Sequence, residues 1–202
     1  YLLREPEAER SLNLPAGDYE CEIVIQDRSF DASGQLLYPR ARGAPGHPFW
    51  VPEFFGDTIV VNGKVWPFMT IEPRRYRLRL LNGSNARFYR LRLSDGRPFV
   101  QIGTDGGFMG APVEVPELLL APGERADTII DFSGLAAGAT LLLTNDAPAP
   151  FPGGDAPDPR TLGSVMQLRV VPLAAPDARA VPARLADIPA LGPATVTRPP
   201  PL

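Results

Sequence analysis

The chain has 202 residues, of which 44% are hydrophobic and 21% charged, with a formal net charge of -3. That length and apolar content support one sizeable domain with its own hydrophobic core. The small net charge excludes a global field that would draw nucleic acid or an anionic membrane, and no apolar run approaches the roughly 18 residues a membrane helix requires. Tyr1 is not an initiator Met and no signal peptide opens the chain, so we expect it to begin inside something larger or to have been processed. The basic residues are Arg except for Lys64, which reads as a coding bias of the source.

Residues 1–18 are charged and proline-bearing and read as an entering linker. Period-2 alternation predicts a first strand over Glu20–Gln26, with Cys21, Ile23 and Ile25 on one face, followed by a turn over Asp27–Gly34 and a strand over Gln35–Tyr38. Pro39–Pro48 reads as an exposed loop. Asn62-Gly63, set between Val60-Val61 and Val65-Trp66, predicts a two-residue hairpin, because Asn and Gly best tolerate the positive φ of its turn. Pro67 has no amide proton for a ladder and ends the second strand.

In Arg74–Leu81 the residues Tyr76, Leu78 and Leu80 alternate with Arg75, Arg77 and Arg79, which predicts one apolar face and one wet face. Arg87–Leu93 repeats the pattern. Strands are also expected at Phe99–Ile102, Asp127–Phe132, Thr140–Thr144 and Val165–Val171, with Val113–Leu120, broken by Pro116, at best an edge strand. About nine to eleven short strands at roughly 8 to 12 residue spacing describe an antiparallel sandwich or barrel. The domain is placed at 19–171. Residues 172–202, with recurring prolines and no alternation, read as a proline-rich connector.

The chemistry is bounded by scarcity. One His and one Cys supply neither a zinc site of nitrogen and sulfur ligands nor a blue-copper site, which needs two imidazoles and a thiolate. Cys21 reads as a buried, inert thiol and His47, in Pro45-Gly46-His47-Pro48, as a solvated loop residue. No Gly-x-Ser-x-Gly elbow is present. Gly103–Gly110 is glycine-rich but lacks the Lys and the following helix of a phosphate loop. Its glycines are expected to supply positive φ, with Asp105 accepting backbone hydrogen bonds within the turn. The arginines at 74–79 and 87–92 are expected to form cross-strand ion pairs with Glu72, Asp127 and Asp131, each worth little on a wet face. No residue is assigned a catalytic, cofactor-binding or metal-ligating role.

Several segments resemble the middle domain of the three-domain multicopper oxidases, with bacterial spore-coat laccases, bilirubin oxidases and phenoxazinone synthases as the closest group. They are Pro52–Pro67 (PEFFGDTIVVNGKVWP), Glu72–Ser84 (EPRRYRLRLLNGS), Gln101–Gly107 (QIGTDGG), Leu120–Asp127 (LAPGERAD) and Val165–Val170 (VMQLRV), with Ile25–Arg28 near the start. The likeness runs in order over about residues 1–171. It implies an all-β, cupredoxin-like Greek-key sandwich or barrel. It also implies a parent that takes electrons from a phenol, a tetrapyrrole or a metal ion at a blue copper and reduces dioxygen to water at a three-copper cluster.

In that family the ligands are His-x-His pairs and a Cys of the first and third domains, none of which stands in this chain. The resemblance therefore implies copper in the parent, none in this stretch, and the first and third domains as partners. This stretch would be a catalytically silent spacer, beginning just past the first domain and leading into the third through its tail. Two rivals share the fold. A carbohydrate-binding module would use Trp50 and Trp66 as exposed stacking platforms, whereas ordinary core residues would be covered; a scaffold domain would have no copper-motif neighbours.

Overall fold

A computed structural model describes residues 4, 6–38, 53–177, 179–196 and 198. The expected loop Pro39–Pro48, His47, Phe49 and Trp50 lie outside the described residues. Twelve strands are described: Glu20–Arg28 (β1), Thr58–Val61 (β2), Lys64–Val65 (β3), Phe68–Ile71 (β4), Arg75–Asn82 (β5), Tyr89–Leu93 (β6), Phe99–Thr104 (β7), Gly107–Val115 (β8), Leu118–Leu120 (β9), Arg125–Asp131 (β10), Thr140–Asn145 (β11) and Ser164–Val170 (β12). They form two sheets, one of order β3-β2-β1-β5-β10-β7-β8 and one of order β4-β12-β11-β6-β9.

The hairpin at Asn62-Gly63 forms as read, with φ of 49° and 79° and Val60 opposite Val65. Asn62 does more than turn the chain. Its side chain accepts from the Val24 amide (2.8 Å) and donates to the Glu22 carbonyl (2.7 Å), which stitches the hairpin to β1. The sheets are not purely antiparallel, because β1 pairs with β5 and β4 with β12 in parallel. Gln35–Tyr38 is not a strand; it contributes only a bridge between Leu36 and Phe30. Pro116 separates β8 from β9, and the two strands are edges of different sheets. A residue without an amide proton thus sits where the chain changes sheets.

The main core lies between the sheets. Ile23 and Ile25 of β1, Tyr76, Leu78 and Leu80 of β5, Leu91 and Leu93 of β6, Phe99, Phe132 and Leu143 meet there, as alternation predicted. A second, smaller cluster of Leu14, Ile102, Ile129 and Leu185 lies apart from it, flanked by Leu12, Val100, Phe108, Met109 and Val181. Its members come from the outer face of the larger sheet and from both terminal segments. Within the first eighteen residues, Pro6–Ser11 forms a short helix (α1) and Leu14 is buried. The described residues after β12 form no helix or strand, yet Leu185 is buried and its amide donates to the Gly110 carbonyl (3.0 Å).

Candidate functional site

Register places the charges on the outer face of the larger sheet. Glu20 of β1 lies opposite Arg77 of β5 and Glu22 opposite Arg79, while on the other side of β5 Arg79 faces Asp127 and Arg75 faces Asp131. The expected pairs with Asp127 and Asp131 form, at 2.6 Å from Arg77 and 2.9 Å from Arg75, and Glu72 lies 3.7 Å from Arg74. Around Arg77 the face is not wet, however. Arg77 is 1% exposed, enclosed by Glu9 of α1, Glu20, Asp127 and the Phe108 ring.

Around Arg77 the ions form a network. Glu9 of α1 lies 3.4 Å from Arg77 and 3.1 Å from Arg79, and Glu20 lies 2.5 Å from Arg79 and 2.8 Å from Arg4. Burial works against the charge on Arg77, and the Asp127 carboxylate overcomes this, holding the guanidinium above its ordinary pKa. Burial likewise raises Glu20, but hydrogen bonds from Arg4 and Arg79 lower it further, leaving it below the usual carboxylate range. Beside this network opens a cleft of about 740 Å³. It is lined by Arg4 and Glu9 from the first residues, by Ala186 and Ile188 from the last, and by Phe108 and Asp127 of the sheet.

A second polar network sits near the ends of β1 and β5. Asp27, fully buried on the inward face of β1, accepts from the Gly56 amide (2.7 Å) and from Arg87 Nε (2.8 Å), and Arg87 also donates to the Gly56 carbonyl (3.0 Å). The Asp27 amide donates to Ser84 Oγ (3.0 Å), which shares a hydrogen bond with the Tyr89 hydroxyl (2.9 Å). Burial first, and the nearby Asp27 charge second, push the Tyr89 hydroxyl pKa upward. Asn82 completes the network by donating to the carbonyls of Arg87 (2.8 Å) and Leu120 (3.0 Å).

Gly56 is the backbone hinge of this network. A Cβ there would stand 2.5 Å from the Arg28 amide nitrogen and 2.7 Å from its carbonyl carbon. Gly56→Ala is expected to cost about 1–3 kcal/mol in a denaturant titration, since backbone cannot rotate aside as a side chain does.

Cys21 is half-buried on β1 against the main core, and burial, followed by the charges of Glu22, Glu20 and Asp18, raises its pKa. Its labelling by a thiol reagent is expected to be slower in the folded chain than in urea, with a rate that keeps rising with pH after the unfolded chain has levelled off. His47 and Trp50 lie outside the described residues. Trp66 is 40% exposed, and its indole N–H donates to the Thr161 carbonyl (3.2 Å), so it is neither fully covered core nor a free flat platform.

Asp105 departs from the expected role. Instead of capping its own turn, it accepts from the amide (3.1 Å) and Nε (2.7 Å) of Arg125 at the start of β10. In the same loop only Gly107 has positive φ (107°); Gly103 is needed for space, with the Gly107 carbonyl oxygen 2.9 Å from where its Cβ would be.

Among the described residues no group of three or more His, Cys, Asp and Glu side chains is placed to hold a metal ion. The donor set does not fit the copper that the resemblance implies for a parent. A blue-copper site needs two imidazoles and a thiolate, and this chain has one of each, the thiol packed against apolar side chains. Among the described residues no helix is long and apolar enough to cross a membrane.

No family model matches the chain. Multicopper oxidase LPR1 homolog 3 of Oryza sativa subsp. japonica is 44% identical over 173 residues, which cover 84% of this chain and 32% of that protein. The laccase of Bacillus subtilis is 42% identical over 196 residues, covering 95% of this chain and 37% of that protein. Among solved structures, the McoA multicopper oxidase of the hyperthermophile Aquifex aeolicus matches with a TM-score of 0.76 at 36% identity, over 93% of this chain and 39% of that one. The chain thus spans about a third of the length of the curated relatives it matches. Its fold is the cupredoxin-like one expected, and the chain belongs to the multicopper oxidase family.

Proposed function

We propose that this chain is the middle, non-metal-binding domain of a multicopper oxidase and acts as a spacer that fixes the separation of copper-bearing first and third domains. The supporting observation is the donor set, one imidazole and one thiol, in a chain that matches about a third of the length of copper oxidases. Redox chemistry at a distance requires fixed geometry between the centres. A two-sheet sandwich whose outer face is locked by buried ion pairs supplies that rigidity. The parent would oxidise a phenolic, tetrapyrrole or metal-ion substrate and reduce dioxygen to water, with the copper ligands contributed outside this stretch.

This chain alone is then inactive. Oxygen uptake by the isolated chain, with copper(II) and a phenol supplied, is expected to match that of the buffer with copper and phenol. Sustained uptake in proportion to the amount of chain present would refute the spacer role.

A further inference from the structure

α1 is six residues long and buries none of them. A helix that short does not hold together in water, so its place depends on what it touches. Glu9 is its anchor, through Arg77 and Arg79. The described residues of the C-terminal segment form no strand or helix to hold them either. Its anchor is Asp177, which accepts from Arg74 Nη2 (3.4 Å), the Arg75 amide (3.1 Å) and the Arg179 amide (3.0 Å). Arg75 adds a bond from Nη1 to the Arg179 carbonyl (2.8 Å), and Glu72 accepts from the Ala174 amide (3.2 Å).

The two segments also meet each other. The Arg179 guanidinium donates to the Leu14 carbonyl, and Leu14 and Leu185 share one buried cluster with Ile102 and Ile129 of the sheet. Neither segment can leave without breaking that cluster. We propose that the two terminal segments form one clasp across the outer face of the larger sheet, closed by Glu9 and Asp177 against the arginines of β5, and that they open together as one unit. Opening would uncover Ile102, Ile129 and Arg77 and would take Arg4, Glu9, Ala186 and Ile188 out of the lining of the 740 Å³ cleft, leaving its sheet residues open. This inference does not depend on the spacer role.

Hydrogen exchange of the 202-residue chain at neutral pH, followed by mass spectrometry, tests it with two variants that each touch one end. Asp177→Asn is expected to speed exchange about tenfold not only in residues 174–177 and 179–185 but also in residues 7–14, while β5 and β10 keep their protection. Glu9→Gln is expected to do the reverse, loosening residues 179–185 as well as α1. If each variant loosens only its own end, the segments are independent and the clasp is wrong. If neither changes exchange, the carboxylates do not close it; if protection falls across the whole chain at once, no separate clasp opens. Either outcome overturns the inference.

Discussion

Asp27→Ala is expected to destabilise the chain by about 3–5 kcal/mol, measured as a lowered midpoint in urea, because it leaves the Arg87 guanidinium charged and unpaired in the interior. The Asp27 side chain is 0% exposed and that of Arg87 4%, so water cannot replace the lost carboxylate. The Gly56 amide loses its acceptor as well. Part of the loss should be recoverable. In Asp27→Ala/Arg87→Ala no buried charge is stranded, so the double variant should be less destabilised than the sum of the two single changes. A cost under about 1 kcal/mol for Asp27→Ala would show that the pair is not isolated from solvent.

Arg77→Ala should cost about 3 kcal/mol, whereas Arg75→Ala, two residues away on the same face of the same strand, should cost about 1 or less. The difference comes from what lies above each. The Arg77 side chain is 2% exposed among Glu9, Glu20 and Asp127, and its removal leaves three carboxylates crowded with only Arg79 and Arg4 to compensate. The Arg75 side chain is 30% exposed, water can solvate its partner Asp131, itself 41% exposed, and the second partner of Arg75, Asp177, keeps Arg74 and two backbone amides as donors. Parallel denaturant titrations of the two variants check this directly. Equal losses would contradict the burial of Arg77 by the terminal segments.

The contrast between Arg75 and Arg77 marks where the sequence stops being informative. Alternation in Tyr76-Arg77-Leu78-Arg79-Leu80 correctly turns the apolar residues inward, since that signal is local to one strand. Whether the opposite face meets water depends on segments 68 and 103 residues distant in the chain, at Glu9 and Asp177, and no local period encodes that contact. The same limit hid Asp27. It sits in phase with Ile23 and Ile25, which places it inward, but an aspartate after an apolar run reads as the start of a turn; its partner Arg87 lies 60 positions on.

Other features were legible for physical reasons. Asn62-Gly63 has a backbone requirement that few residue pairs meet, and the hairpin forms there. Pro116 marks an edge because it lacks an amide proton, though not that the chain changes sheets at that point. The parallel pairing of β1 with β5 and of β4 with β12 has no signature in short antiparallel-looking strands, and it follows only from the closure of the two sheets. The family was legible from wording rather than period: the segments around the hairpin and Leu120–Asp127 carry it, and relatives at 42–44% identity bear it out.

Elemental analysis of the purified 202-residue chain after dialysis against copper is the most direct test of the spacer role. The expected result is no stoichiometric, tightly held copper and no blue colour. One equivalent of copper retained per chain, with the intense blue of a thiolate-ligated centre, would contradict it, because it would place a redox site in the stretch assigned only to geometry.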